Sequence, residues 1–420
     1  MGALELFAAA PASLRNVSFS DARMMAERLV SSVRGQERLG LLAAMDRVLA
    51  ADVHAPVDLP PHNNAAMDGF ALRASDIAAD GSGLWPLFGQ TILAGASSEV
   101  EIPTGHCVRI MTGAKLPEGL DTVVPWEVCD VRGRLVCCRP KAAVRHANCR
   151  MRGEDAAKGA LTLRAGQRLS ARHIGLLAAL SFPEVQVLRR PRIAVMSIGD
   201  ELREPGDQLP EGCIYDSNRF ALLAALKHMG ADAIDLGRIS DDPQALAAAL
   251  ARACQTADAV VTSAAASKGD ADHLTAVVSD MGRWHVQGVR MKPGKPFSLG
   301  DIGHADRSVP LFALPGNPVA AQVCLQTLVT PAVARLAGDT GWRSHSIRVQ
   351  SRNHLSKKVG RIEFARARLK TSDEGVLEAE VHSAQGAAAL CGHASSDLLL
   401  ELPEDLAEIS TGDWVSAWPI

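Results

Sequence analysis

Ile193-Ala194-Val195-Met196-Ser197-Ile198-Gly199-Asp200-Glu201-Leu202 decides the fold. Its apolar opening reads as a strand, ended by a glycine and two acids. The chain beyond it alternates. A helix over 219–228 is closed by Gly230, a strand runs over 231–236 and a helix over 243–257. A strand over 258–261, a helix over 273–281, a strand over 310–314 and a helix over 318–337 follow. Strands and helices in strict alternation imply a doubly wound parallel sheet with right-handed crossovers.

The texture changes on both sides of this unit. Residues 18–52 read as two amphipathic helices, with Ser18 and Ser20 as N-cap candidates and Ala22, Met25, Leu29 and Val33 as an apolar stripe. From 53 to 149, short alternating segments broken by Gly and Pro indicate a small β-rich domain. Residues 157–183 return to a helical pattern and are expected to rejoin the first helices in space, with the β-rich part inserted between them. From 346 onward, runs such as Ile347-Arg348-Val349 and Leu398-Leu399-Leu400 suggest a small β-barrel or sandwich. The expectation is an α/β multidomain protein: a helical linker domain (16–53 with 157–190), an inserted β-rich domain (54–156), the doubly wound sheet domain (191–338) and a C-terminal β-barrel (339–420).

The 420 residues exceed one ordinary core, in keeping with several domains. The net charge of −3 offers no general field for DNA or RNA, so any anion binding must be local. Nine cysteines without CxxC spacing read as reduced thiols packed as small hydrophobes. The N-terminus lacks the pattern of a signal peptide, and no run of about 18 apolar residues marks a membrane span. A cytoplasmic protein is expected.

Lys292-Pro293-Gly294-Lys295-Pro296 and Leu314-Pro315-Gly316-Asn317-Pro318 each end an apolar segment. Proline fixes its own φ and glycine permits close backbone approach, so both are rigid turns with polar tips. If their strands are neighbours, the turns stand side by side at a sheet edge, where ligands of open α/β sheets bind. Lys292 and Lys295 then present two compact charges to a phosphate or other oxyanion. Asn317 and Pro318 suit the start of a helix, whose free N–H groups also attract anions. The run 262–272 joins a strand to a helix through small residues, Ser267 among them, and ends on Asp272, which serves equally as an N-cap. Asp200 and Glu201 at a strand end can hold Mg2+, and Asp216, Ser217 and Asn218 add oxygen donors, with Ser217 or Asn218 as the alternative cap of the next helix. Asp242 with Pro243 explains a helix start, which leaves Asp241 without a structural task. In the inserted part, polar loops carry Asp68, Arg109 to Ala114 (with Thr112 and Gly113), and Arg152 to Asp155.

Taken in order, the runs 64–70, 109–114, 153–155, 199–202, 214–219, 241–242, 263–272, 291–296 and 314–318 resemble the molybdopterin molybdenumtransferase family, whose eukaryotic relatives include the gephyrin E domain. The resemblance implies four domains, an elongated homodimer, and a site between the sheet domain of one subunit and the inserted domain of its partner. It implies insertion of molybdate into adenylylated molybdopterin with Mg2+-dependent release of AMP. On this resemblance Asp68, Asp155, Glu201, Asp241 and Asp272 are the site acids, with Glu201, Asp241 and Asp272 toward the metal. Thr112, Gly113, Asp216, Ser217, Asn218, Ser267, Lys292 and Lys295 contact the substrates, and Pro315 and Pro318 shape the molybdate side. Contacts with the molybdopterin adenylyltransferase and with acceptor molybdoenzymes are further implications. The chain departs from the family where two glycines are usual, at Ala264-Ala265, and Lys268 replaces a usually apolar residue. Two other readings stand beside this one: a molybdopterin adenylyltransferase, which needs neither the inserted domain nor the barrel, and a catalytically impaired cofactor-binding or scaffold paralogue.

Overall fold

The computed structural model describes residues 13–96, 100–263, 273–304 and 307–420. Its central sheet uses β1 (Leu14–Val17), β2 (Arg192–Ile198), β3 (Asp232–Ile239), β4 (Ala259–Ser263), β5 (Gly282–Val289), β6 (Ser298–His304) and β7 (Arg307–Leu314). The order is β1-β5-β6-β7-β4-β2-β3. Strands β7, β4, β2 and β3 run parallel, which is the doubly wound core the alternation implies. Beyond β7 the sheet becomes mixed: β6 pairs antiparallel with both β7 and β5, and β1 joins β5 in parallel.

Period-two alternation sends each parallel strand into two cores. Ile193, Val195, Val261, Phe312 and Leu314 face one side. Ala194, Met196, Ile198, Val260, Leu311 and Ala313 face the other. A strand buried on both faces must be apolar throughout, hence the unbroken runs. Helices α1 (Phe19–Leu29), α2 (Ser217–His228), α5 (Pro318–Cys324) and α6 (Thr330–Leu336) cover the first face, and α3 (Pro243–Thr256) and α4 (His273–Met281) the second. Full burial of each Val, Leu or Ile contributes about 1.5–3 kcal/mol, so this two-sided core carries most of the domain's stability. Caps set where the helices begin. Ser18 accepts from Asp21 N–H at 3.1 Å, and Asp242 from Ala245 N–H at 2.8 Å with Pro243 in the first turn.

Helices α5 and α6 are one continuous helix interrupted by a π segment at Leu325–Val329. Pro331 lacks an N–H and crowds the preceding turn, which accounts for the irregularity. The stretch Pro318–Leu336 has the length and hydropathy to cross a membrane, yet it lies mostly buried inside the protein, as befits a core helix.

Residues 18–52 hold one helix, not two. After α1 the chain extends, and Gln36–Gly40 pairs antiparallel with Glu184–Leu188. Likewise 157–183 is helical only at Ala171–Ala179, while Leu161–Leu163 pairs with Val53–His54. Both partners lie more than 100 residues away in sequence, beyond the reach of local periodicity. These pairings bring the two flanks of the inserted segment together.

The inserted segment holds two small three-stranded sheets. Gly69–Leu72 is central in one, between Val108–Ile110 and Thr122–Pro125. Leu135–Cys138 is central in the other, between Gly83–Pro86 and Cys129–Arg132. At the C-terminus β8 (Ile347–Ser351), β9 (Ile362–Thr371), β10 (Leu377–Val381), β11 (Leu398–Leu402) and β12 (Trp414–Pro419) close into a five-stranded barrel, in the order β9-β10-β8-β12-β11 and back to β9. The two-residue strand Met291–Lys292 from the sheet domain adds to β9 in parallel.

Candidate functional site

The C-terminal ends of β2, β3, β4 and β7 form one edge. Ile198 is level with Ile239, Ser197 with Ser263, and Ser263 with Leu314. The chain passes from β2 to β3 on one side and later to β4 on the other, so the topological switch lies between β2 and β4, where open α/β sheets place their ligands. Two buried serines mark that point. Ser197 donates to Asp216, and Asn218 Nδ2 donates to Ser263 Oγ at 2.6 Å and to the Gly316 carbonyl at 2.7 Å. Asn218 thus ties the first turn of α2 to the turn after β7.

Asp216 is buried and fully engaged. It caps α2 through Arg219 N–H at 3.1 Å and holds Arg219 Nε at 2.9 Å. Arg219 also pairs with Asp235 and Glu204. Burial works against the guanidinium charge, but its hydrogen bonds to Asp235 and Asp216 hold its pKa above the ordinary arginine value. Asp216 therefore fixes the loop and does not present a free carboxylate. Ser217 is exposed at the first position of α2. Glu201 and Asp241 are exposed, follow adjacent strand ends, and have no side-chain hydrogen bond among the described residues. Gly199 has φ +152°, and a Cβ there would stand 2.5 Å from a Glu201 carboxylate oxygen. Thr262 Oγ1 and Asn218 Oδ1 are buried at the same edge with no partner among the described residues. Ser267, Asp272, Ala264, Ala265 and Lys268 lie outside the described residues. Among those described, no three His, Cys, Asp or Glu side chains stand together as a metal cluster.

The lysine turn follows β5 and the proline turn follows β7. These strands are separated by β6, so the turns are not on neighbouring strands as the sequence suggests. They meet nevertheless. Lys292, Lys295, Pro315 and Asn317 line one cleft of about 510 Å3 whose other wall is the barrel, with His354, Ser356, Arg361, Glu363 and Gln385. Val289 N–H to the Lys295 carbonyl and Phe297 N–H to the Gly294 carbonyl, at 2.9 and 3.0 Å, close the turn. Gly294 has φ +119°, and a Cβ on it would meet Cys324 Sγ at 2.5 Å. Only glycine lets this turn pack on α5. Lys292 Nζ lies 2.9 Å from Glu363 Oε2, and Arg361 Nε 3.0 Å from Glu363 Oε1. Asn317 precedes α5 without a side-chain cap, and the Val319 N–H donates to the Ala387 carbonyl at 3.0 Å. One donor of that helix end is therefore already taken, and the cationic side chains of the cleft are Lys292, Lys295 and Arg361.

The three inserted loops converge. Ala65 N–H donates to the Ala114 carbonyl, Gly113 N–H to the Ala65 carbonyl, and Ala66 N–H to the Asn148 carbonyl, while Asn63 Oδ1 accepts from Arg152 N–H. Asp68 Oδ1 accepts from Thr112 Oγ1 at 2.6 Å and from Thr112 N–H at 2.7 Å. These bonds, with the Arg109 charge, hold the Asp68 carboxyl below the usual carboxylate range. Gly113 adopts φ +79°. Asp155 is exposed, its side chain without a hydrogen bond among the described residues. No hydrogen bond or ion pair among the described residues joins this group to the lysine cleft or the sheet edge.

Glu363 and Arg361 are absent from the sequence expectation. The signal was there: one acid between the apolar Ile362 and Phe364.

Three family models match in succession: the MoeA N-terminal region (domain I and II) over residues 17–181, a probable molybdopterin binding domain over 194–335, and the MoeA C-terminal region (domain IV) over 348–420. A molybdopterin molybdenumtransferase of Haemophilus influenzae is 34% identical, covering 91% of this chain and 93% of that protein. Molybdopterin molybdenumtransferase 2 of Mycobacterium tuberculosis is 33% identical over 90% of this chain and 94% of its own length. A molybdopterin biosynthesis MoeA protein from Pyrococcus horikoshii shares the fold, with a TM-score of 0.82 over 96% of this chain and 100% of that one at 24% identity.

Proposed function

This chain belongs to the molybdopterin molybdenumtransferase family, and we propose that it acts in molybdenum cofactor biosynthesis by inserting molybdate into adenylylated molybdopterin, with Mg2+-dependent release of AMP. The family matches run through both terminal regions, which an adenylyltransferase acting on molybdopterin does not need. The observation that carries the reading is the cleft in which Lys292 and Lys295 meet the turn at Pro315 and Asn317.

Molybdate and the pterin phosphates are oxyanions, and lysine is a compact, strongly hydrated charge suited to them. Pro315 and Pro318 confine the molybdate side, and Asn218 holds the Gly316 carbonyl so that this turn keeps its place. Ser217 and Asn218 approach the pterin nucleotide along the sheet edge, and the family resemblance adds Ser267 to the substrate contacts. Glu201 and Asp241, without side-chain partners among the described residues on adjacent strand ends, suit the one or two carboxylates that Mg2+ takes beside substrate phosphates, and the resemblance places Asp272 toward the same ion. When bound, that ion polarises the phosphoryl oxygens of the bond that breaks. Asp68, oriented by Thr112, together with Gly113 and Asp155, completes the site from the inserted domain of a second subunit in a homodimer. We assign four units, 54–156, 191–338, 339–420 and 16–53 with 157–190, the last of which lends β1 and α1 to the sheet domain. We place the protein in the cytoplasm, in contact with the molybdopterin adenylyltransferase and with acceptor molybdoenzymes.

The test supplies purified protein with adenylylated molybdopterin, molybdate and Mg2+, then follows AMP release and activation of an apo-molybdoenzyme. Both are expected only when all three are present. Neither signal rising above the protein-free control, while a working relative gives both, overturns the reading.

A further inference from the structure

We infer that Glu363 of the C-terminal barrel is a positioning residue for the oxyanion site, its carboxylate holding Lys292 and Arg361 as one oriented pair of cations in the cleft. The inference rests on the reading of that cleft as the oxyanion site.

Glu363 is 8% exposed, between buried Ile362 and Phe364 on β9. Its residue pairs with Lys292 on one side and Leu402 on the other. A carboxylate does not sit in such a strand without cations. Here each oxygen has one: Oε2 at 2.9 Å from Lys292 Nζ, Oε1 at 3.0 Å from Arg361 Nε. Buried ion pairs are weak contributors to stability, and apolar residues of similar volume commonly replace them without loss. A purely structural account of Glu363 is therefore unsatisfying. The exposures point to the other account. The carboxylate side chain is 11% exposed, against 55% for Lys292 and 39% for Arg361.

The acid is thus tucked behind and the cations stand forward, with donors to spare. An ammonium has three donors and a guanidinium five, and Glu363 occupies one of each. All three side chains line the cleft beside Lys295. Two positive charges remain in excess of Glu363 among the four side chains, enough to receive a dianion. Fixing two long side chains beforehand removes rotamer freedom that binding would otherwise have to remove. The barrel then completes the site through Glu363, rather than merely flanking it.

The experiment uses the full chain, with Glu363→Gln made alone and in a Lys292→Met background. Molybdate insertion gives KM and kcat, and peptide-mapped acylation by an N-hydroxysuccinimide ester gives the reactivity of Lys292. For Glu363→Gln alone the expected result is a KM for molybdate raised roughly tenfold, the scale of one charged hydrogen bond, with a smaller change in kcat. In the Lys292→Met background the same change should add clearly less than tenfold, because one of the two cations it holds is gone. Lys292 acylation should rise severalfold with an unchanged melting temperature. Additive losses, or wild-type KM together with wild-type Lys292 reactivity, overturn the inference. Should Glu363→Gln fail to fold, Glu363→Asp keeps the charge but shortens the reach, and must shift KM and Lys292 reactivity in the same directions. If the wild-type chain inserts no molybdenum, the functional reading fails, and the acylation contrast still decides whether Glu363 positions Lys292.

Discussion

Asp68 shows how a single side chain is prepared for a task. Two hydrogen bonds from Thr112 hold its carboxylate, and with the Arg109 charge they lower its pKa below the usual carboxylate value. The carboxylate is partly exposed and supports no core, so its loss should be felt in activity and not in folding. Asp68→Ala is expected to reduce kcat by at least about 100-fold, in the range of lost acid–base or electrostatic assistance, with the melting temperature unchanged within about 4 °C. Steady-state kinetics beside thermal denaturation checks this, and wild-type turnover would remove Asp68 from the site. The lysine turn was legible at this scale because Lys-Pro-Gly-Lys-Pro combines rigidity and charge within five residues. Glu363 was not, because the residue that explains it, Lys292, lies 71 positions earlier and meets it only through strand pairing.

Among the elements, the antiparallel edge β5-β6-β7 carries a partly buried polar cluster around Asp301. Burial opposes ionisation of Asp301, yet its hydrogen bonds from His285, Ser308 and Arg283 bring the carboxyl down to about 2. The sign follows from linkage: a pKa depressed in the folded state adds stability that is present above the unfolded value near 4 and is lost as pH falls toward 2. The wild-type chain should lose stability across that window, and Asp301→Asn should be less stable near neutrality with a flatter acid limb. Urea unfolding at several pH values measures both, and parallel pH profiles for the two proteins would contradict the assignment. The alternating strands and helices at 193–281 and 310–337 were readable because each carries its own period and punctuation, such as Asp242-Pro243 before α3. Gln36–Gly40 was misread as helix because what makes it a strand is Glu184–Leu188, not its own composition. The mixed half of the sheet was missed for a related reason: β5 and β6 pair antiparallel around the lysine turn, and alternation of strand and helix is silent about such a hairpin.

The whole molecule is organised around separated partial sites. The sheet edge and lysine cleft form one region, joined by Asn218 and the Gly316 carbonyl, while Asp68, Thr112, Gly113 and Asp155 gather on the inserted domain. If the second group serves the first across a dimer, two inactive proteins can repair each other. Mixing Asp68→Ala with Lys292→Met after partial denaturation and refolding should restore up to about one quarter of wild-type activity. Half of randomly paired dimers are mixed, and each mixed dimer has one intact site of two. No recovery, with mixed dimers demonstrated by mass, would place both groups in the same subunit's site. The multidomain α/β class, with its parallel sheet and C-terminal barrel, was legible from changes in texture along the chain. How the parts face one another was not, since nothing in a single sequence marks which surfaces meet.

Locating molybdenum by anomalous diffraction at its absorption edge, in crystals soaked with molybdate, tests the central claim most directly. The account predicts a peak in the cleft between Lys292, Lys295 and Pro315, lost in Lys292→Met crystals. A peak elsewhere that survives that substitution, with the cleft empty, would contradict it.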